Sequence, residues 1–224
     1  MYANYANKKN TIMTQNQIII KKSDIINALI IGEAAAWLMW LIGKNLISEN
    51  SIIVSLDAYL NYLPIVFPLL CVAGLYGAFL ISRFIPIIHQ IGKFVLVGGL
   101  NFLIDMGVLN FLVFYTGISA GLEQSFFKGI AFLVAVINSY FWNKFWTFKR
   151  KTKEKVGKEF FQFIVVSFIG LFINLGIDYI LVNQITPLAD LPLRTWAQFS
   201  AMLAAIAALF WNFIGYKFIV FDKK

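Results

Sequence analysis

Four basic side chains stand where long apolar runs give way to charged loops: Lys93, Lys144, Arg150 and Lys217. Lys144 and Lys217 each open a Lys-Phe-x-x-Phe motif, ending at Phe148 and Phe221, and the two copies are 73 residues apart. Lysine is a point charge on a flexible stem, suited to an anion shared by several cations rather than to a bidentate fork. Two such lysines at equivalent helix ends could converge on one phosphate. Taken singly, each is a snorkelling residue beside interface aromatics. Snorkelling does not explain why the motif recurs.

A second set of polar residues lies inside the apolar runs. Asn101 and Asp105 are four apart and share one helix face. At 1.5 Å per residue Asp105 lies about 16 Å into its run, near the bilayer centre. A carboxylate there costs about 2.5–3.5 kcal/mol on insertion scales, so a polar cavity or a specific partner is expected. Bonding between neighbouring helices is the competing role. Asn138 and Asn143 add two amides to the fourth run, and Asn174 and Asp178 echo Asn101 and Asp105 in the fifth. Glu33, close to Trp37 in the first run, is a candidate for proton linkage. Lys128 is read as snorkelling.

Other chemistry is poorly provided for. Cys71 and His89 are each the sole residue of their type, which leaves no internal disulfide and no metal cluster. There is no Asp-x-Asp, no His-Glu-x-x-His and no Walker sequence. Gly98-Gly99 lacks the strand and the glycine spacing of a phosphate loop and is read as a helix-packing site. No catalytic residue, metal or cofactor is expected, and the protein is read as a non-enzyme.

The elements that must position these residues follow from composition. Of 224 residues, 60% are hydrophobic and 13% charged, and the mean hydropathy is +0.75; soluble domains are about a quarter charged. Apolar runs at about 25–47, 62–82, 94–116, 126–148, 160–182 and 196–221 each suit a spanning helix. An all-α, polytopic membrane protein with six transmembrane helices is expected. The runs are continuous rather than alternating, which argues against a β-barrel.

Cations Lys8, Lys9, Lys21, Lys22, Arg83, Lys93, Lys149, Arg150, Lys151, Lys153, Lys155, Lys158, Lys223 and Lys224 fall on one side of that topology. Glu49, Asp57, Glu123, Asp190 and Arg194 fall on the other. This bias puts both termini in the cytoplasm, for a multi-pass protein of the cytoplasmic (inner) membrane. The net charge of +8 then faces anionic lipid headgroups rather than nucleic acid.

Within the spans, Gly32 and Ala36 offer a small-residue face, and Pro64, Pro68, Gly74 and Gly77 permit a kink in the second span. Pro86 is expected to end that helix. Ala197, Ala201, Ala204, Ala205 and Ala208 form a packing face on the sixth. Small-residue faces on spans one and six leave room for a homodimer. An offset of 73 links spans three to six as two two-helix units, although Lys93 to Val97 fits Gln162 to Val166 at 69. Each copy has two spans, so the repeat is parallel. Three regions result: a polar tail, 1–24; an N-terminal transmembrane hairpin, 25–84; and a four-helix domain, 90–224.

Phe94 to Asp105, followed by Asn138 and then Asn143 to Phe148, resembles the GtrA-like family of small membrane proteins over about residues 90–222. That family's pattern is Val-Gly-Gly-x-Asn-x-x-x-Asp, then Asn-Arg-x-Trp-x-Phe, repeated in weaker form. Here Lys144 replaces the arginine, and Tyr216-Lys217 replaces the second Asn-Arg; charge is kept and the fork is lost. The resemblance implies flipping of a polyprenyl-phosphate-linked monosaccharide from the cytoplasmic to the outer leaflet. Such a sugar serves cell-wall or surface polysaccharides such as O-antigen or teichoic acid, and a glycosyltransferase partner charges the lipid. A membrane anchor or substrate-presenting subunit for that glycosyltransferase is the alternative. A small-molecule exporter built on Glu33 comes third. On the first reading, Lys144, Lys217, Lys93 and Arg150 bind phosphate. Asn101, Asp105, Asn138, Asn143, Asn174 and Asp178 provide the polar track.

Overall fold

The computed structural model describes residues 19–49, 57–150, 156–188 and 192–221. Lys8, Lys9, Lys151, Lys153, Lys155, Asp190, Lys223 and Lys224, part of the charge bias, lie outside them. Among the described residues the secondary structure is helical throughout: α1 (Lys22–Glu49), α2 (Asp57–Leu60), α3 (Leu63–Ile81), α4 (Ile87–Thr116), α5 (Gly121–Trp142), α6 (Val156–Gln184) and α7 (Leu193–Gly215). Two π-helical turns, Asn143–Thr147 and Tyr216–Val220, continue α5 and α7. Six of these helices are long and apolar enough to cross a membrane, and the chain is a multi-pass membrane protein.

The helices begin earlier than the apolar runs. α1 starts at Lys22, α4 at Ile87 and α6 at Val156, which brings Asp24, His89, Lys93 and Glu159 inside helices. Charged first-turn residues lower local hydropathy without interrupting backbone hydrogen bonds, so a hydropathy reading trims them. Pro86 caps the start of α4 instead of ending α3, which closes at Ile81; a proline is well placed at a helix start, where N–H groups lack partners anyway. Pro64 lies at the start of α3 and Pro68 inside it.

The element boundaries carry both sequence offsets to within a residue. α4 and α6 end 68 residues apart, at Thr116 and Gln184, whereas α5 and α7 end 73 apart, at Trp142 and Gly215. The difference lies in the connections, which are 117–120 in one case and 185–192 in the other. Burial follows the shorter offset: Phe94 and Val97 are buried on α4, and Phe163 and Val166 on α6. At that offset Asn174, rather than Asp178, is the residue that lines up with Asp105. The first connection, Gly117 to Gly121, has Gly-x-Ser-x-Gly spacing, a pattern that marks a catalytic serine only after a strand. Here it is a turn between helices, with Gly117 and Gly121 at φ 72° and 84°, where side chains are disfavoured.

The chain divides into two compact units, residues 1–142 and 143–224. In the first, α1 packs on α3 and α4, and α4 on α5. Ala28, Ile31, Ala35 and Ala36 form the buried stripe of α1. A Cβ on Gly32 would come within 2.5 Å of the Pro68 Cα, so the backbones of α1 and α3 touch there. In the second, α6 and α7 run antiparallel: Val166 lies against Trp211 and Gly215, Gly170 against Asn212, and at the other end the Trp196 indole donates to the Leu181 carbonyl, with Ser200, Ala204 and Ala208 buried along α7. Ala201 and Ala205 face outwards, so the packing face of α7 is narrower than its alanine content suggests. Gly32→Leu should destabilise the first unit by about 1–3 kcal/mol, as overpacking against rigid backbone does. Gly74→Leu, where no atom lies within 4 Å of the new Cβ, should leave the melting temperature in detergent nearly unchanged.

Candidate functional site

In the first unit the polar residues form one row. His89, Lys93, Val97, Asn101 and Asp105 follow one another at four-residue intervals along α4, and such spacing keeps side chains on one slowly drifting face. Each polar member has a partner on a neighbouring helix. Lys93 Nζ lies 2.5 Å from Asp24 Oδ1 of α1, with both side chains almost fully buried. His89 Nε2 lies 3.5 Å from the other carboxylate oxygen of Asp24. Asn138 Nδ2 on α5 donates to Asn101 Oδ1 at 2.6 Å. Lys128 of α5 forms an ion pair with Asp105. The partner expected for Asp105 is thus Lys128, which is not a free snorkelling residue. Four carbons of stem carry the ammonium from its own helix to the carboxylate on α4.

Glu33 is exposed on α1 and accepts a hydrogen bond of 2.8 Å from the indole of Trp37. The i, i+4 spacing places both groups on one helix face. Lys44 forms an ion pair with Asp57, which ties α1 to α2. A cavity of about 240 Å3 between α1 and α4 is lined mainly by Leu38, Leu41, Ile42, Phe111 and Phe114, with Asn110 as its polar member.

In the second unit Lys144 is buried and its Nζ lies 2.6 Å from Glu159 Oε1. Arg150 Nε lies 3.9 Å from Glu159 Oε2. One carboxylate therefore faces two cations, one at each oxygen. The backbone arranges this. Phe148 N–H donates to the Asn143 carbonyl and Arg150 N–H to the Lys144 carbonyl, both at 2.8 Å, with Lys149 at φ 53° between them. That left-handed residue reverses the chain after the π turn, much as a helix C-cap does, and carries Arg150 back toward the acid that holds Lys144.

The other basic motif shares this backbone. Phe221 N–H donates to the Tyr216 carbonyl at 2.8 Å, the same five-residue span used by Phe148. Phe148 and Phe221 stack with ring centroids 5.1 Å apart, so the two motifs lie side by side. Tyr216 stacks on Phe163 at 4.1 Å and its hydroxyl is 2.7 Å from Ser167 Oγ. Lys217 is half-buried, with its ammonium 5.7 Å and 5.5 Å from the ring centroids of Phe213 and Phe218. It forms no ion pair among the described residues. Asn143 is buried next to Lys144. Asn174 and Asp178 are half-buried on α6.

The family described as "GtrA/DPMS, transmembrane domain" matches residues 93–221. The chain belongs to that family. It is also similar to the "Uncharacterized membrane protein YngA" of Bacillus subtilis (strain 168), 31% identical over 146 residues, covering 64% of this chain and 88% of that protein. No solved structure matches.

The GtrA/DPMS segment opens at Lys93 and closes at Phe221, and Asp24, the ion-pair partner of Lys93, lies outside it. Sequence reading missed both acids that neutralise the buried lysines. Asp24 follows Lys21 and Lys22, and Glu159 follows Lys158. Within basic segments they look like solvated charges. An acid isolated in a basic loop next to a membrane run was the available signal. Removing one partner of a buried pair leaves an uncompensated charge, which costs about 3–5 kcal/mol, whereas an apolar pair of similar volume is often neutral. Asp24→Leu should therefore lower thermal stability in detergent sharply, and Asp24→Leu/Lys93→Met should recover most of the loss.

Proposed function

We propose that the protein flips a polyprenyl-phosphate-linked monosaccharide from the cytoplasmic to the outer leaflet, without catalysing a reaction. Membership of the GtrA/DPMS family supports the substrate class. The observation that carries the reading is the polar row of α4, Lys93, Asn101 and Asp105, each met by a polar side chain of another helix. A headgroup crossing bare hydrocarbon loses its hydrogen bonds to water, at several kcal/mol for each unsatisfied polar group. Side chains already paired in net-neutral sets can exchange partners with sugar hydroxyls without exposing an isolated charge.

In this proposal Asn101, Asp105 and Asn138 serve the hydroxyls, with Lys128 as the counter-charge of Asp105. Lys144, Arg150 and Lys217 serve the phosphate, within the second unit. Asn143 supports Lys144, and Asn174 and Asp178 extend the polar lining on α6. In the first unit, Lys93 is a separate phosphate-binding candidate once Asp24 releases it. Both termini are assigned to the cytoplasm of a cell bounded by this inner membrane, and the surface polysaccharide pathway is the consumer. Glu33, held by Trp37 on an exposed face, is left as a proton-linked group.

The second reading is a membrane subunit that presents substrate to a polyprenyl-phosphate glycosyltransferase, as a homodimer or with that enzyme. The family's joint description with a DPMS transmembrane domain favours it. Liposomes with labelled polyprenyl-phosphate sugar on one leaflet separate the two. Transport predicts equilibration by the wild type and a loss of about tenfold or more, about 1.4 kcal/mol of barrier, in Asp105→Leu/Lys128→Met. This double change removes the polar rung while leaving no unpaired charge. Absence of equilibration, together with tight co-purification of a glycosyltransferase, would replace flipping by the subunit reading.

A further inference from the structure

The proposed phosphate site of the second unit is already occupied, and by a group of the chain itself. Glu159 sets one carboxylate oxygen 2.6 Å from Lys144 and the other 3.9 Å from Arg150. A phosphodiester carries the same single negative charge over two free oxygens. Arg150 Nε is buried without a hydrogen bond among the described residues, at a distance too long for a good one to Glu159. A larger anion, with longer bonds to its oxygens, would reach both cations better than the carboxylate does.

The position of Glu159 allows it to leave. It lies in the first turn of α6, behind Val156, Gly157 and Lys158, all exposed. Rotation about its own side-chain bonds can carry the carboxylate towards that surface without moving the helix. Exchange of one monoanion for another leaves the net charge of the cluster the same at both end states, so the large desolvation cost of a buried Lys144 with no anion is avoided there.

We infer that Glu159 is a resident counter-anion which closes the Lys144/Arg150 site when no substrate is present and is displaced by the phosphodiester or phosphate of an isoprenoid lipid. This rests on the function proposed above. Displacement lowers the apparent affinity by the fraction of molecules in which Glu159 has already left. If that released state is populated at about a tenth or less, abolishing the carboxylate raises affinity about tenfold or more.

The test measures binding of farnesyl phosphate, farnesol and inorganic phosphate to the full-length protein in detergent. Glu159→Gln should bind farnesyl phosphate about tenfold more tightly than wild type, with farnesol unchanged and inorganic phosphate weak in both. Should the unpaired Lys144 prevent Glu159→Gln from folding, Glu159→Asp decides. A carboxylate one methylene shorter keeps the charge but weakens the closure, and it should give a smaller gain of the same sign. Equal or weaker binding in the folded variant, with clear binding by wild type, would overturn the counter-anion role and leave the flipping proposal standing. Failure of both proteins to prefer farnesyl phosphate over farnesol would overturn both. Inorganic phosphate binding as tightly as farnesyl phosphate would overturn the lipid assignment.

Discussion

A fully buried ionisable side chain in a membrane helix needs a partner of opposite charge, and this constraint organises both units. Lys93 and Lys144 are almost wholly buried, in surroundings where an unpaired ammonium is several kcal/mol less favourable than a paired one. Each is matched by a carboxylate from the first turn of a different helix, Asp24 of α1 or Glu159 of α6. Such a pair locks more than charge. It sets the axial register of α1 on α4, and of α6 on the π turn that follows α5, because a shift of one turn would separate acid from base.

The two π turns solve a related problem. Continuing α5 and α7 as regular helix would rotate Lys144 and Lys217 in step with the apolar face before them. Adding a residue to the turn, with bonds spanning five residues, changes that phase over a short distance, as π bulges at functional positions often do. The phase change lets Phe148 and Phe221 turn inward and stack. The lysines four residues earlier take different surroundings, a carboxylate for Lys144 and aromatic faces for Lys217. The repeated motif is thus conformationally repeated but electrostatically unequal, and the inequality comes from Glu159, which has no equivalent beside Lys217 among the described residues.

The N-terminal hairpin gains a clearer place from the same physics. It lies outside the segment shared with the GtrA/DPMS family, yet it supplies the acid for the first residue of that segment. α1 also contributes Leu38, Leu41 and Ile42 to the cavity it shares with α4. The hairpin is therefore joined to α4 by charge as well as by the close approach of Leu38 to Gly107.

Sequence alone determined the number of spans, the helical class, the recurrence of Lys-Phe-x-x-Phe and the family, because hydropathy and motif spacing are local properties of the chain. It also brought out Asn101, Asp105 and Asn138, since polar residues inside apolar runs are conspicuous. Partnership was decided by tertiary structure. That Asp105 meets Lys128, that Lys93 meets Asp24 and that Lys144 meets Glu159 depends on which helix faces lie together. Nothing in one run of residues specifies that. The four-residue difference between the repeat offsets was likewise ambiguous in sequence, because a helical slip and a longer loop have the same length. The helices before the connections end 68 residues apart, at Thr116 and Gln184, and those after them end 73 apart, at Trp142 and Gly215, which is the difference a longer connection gives.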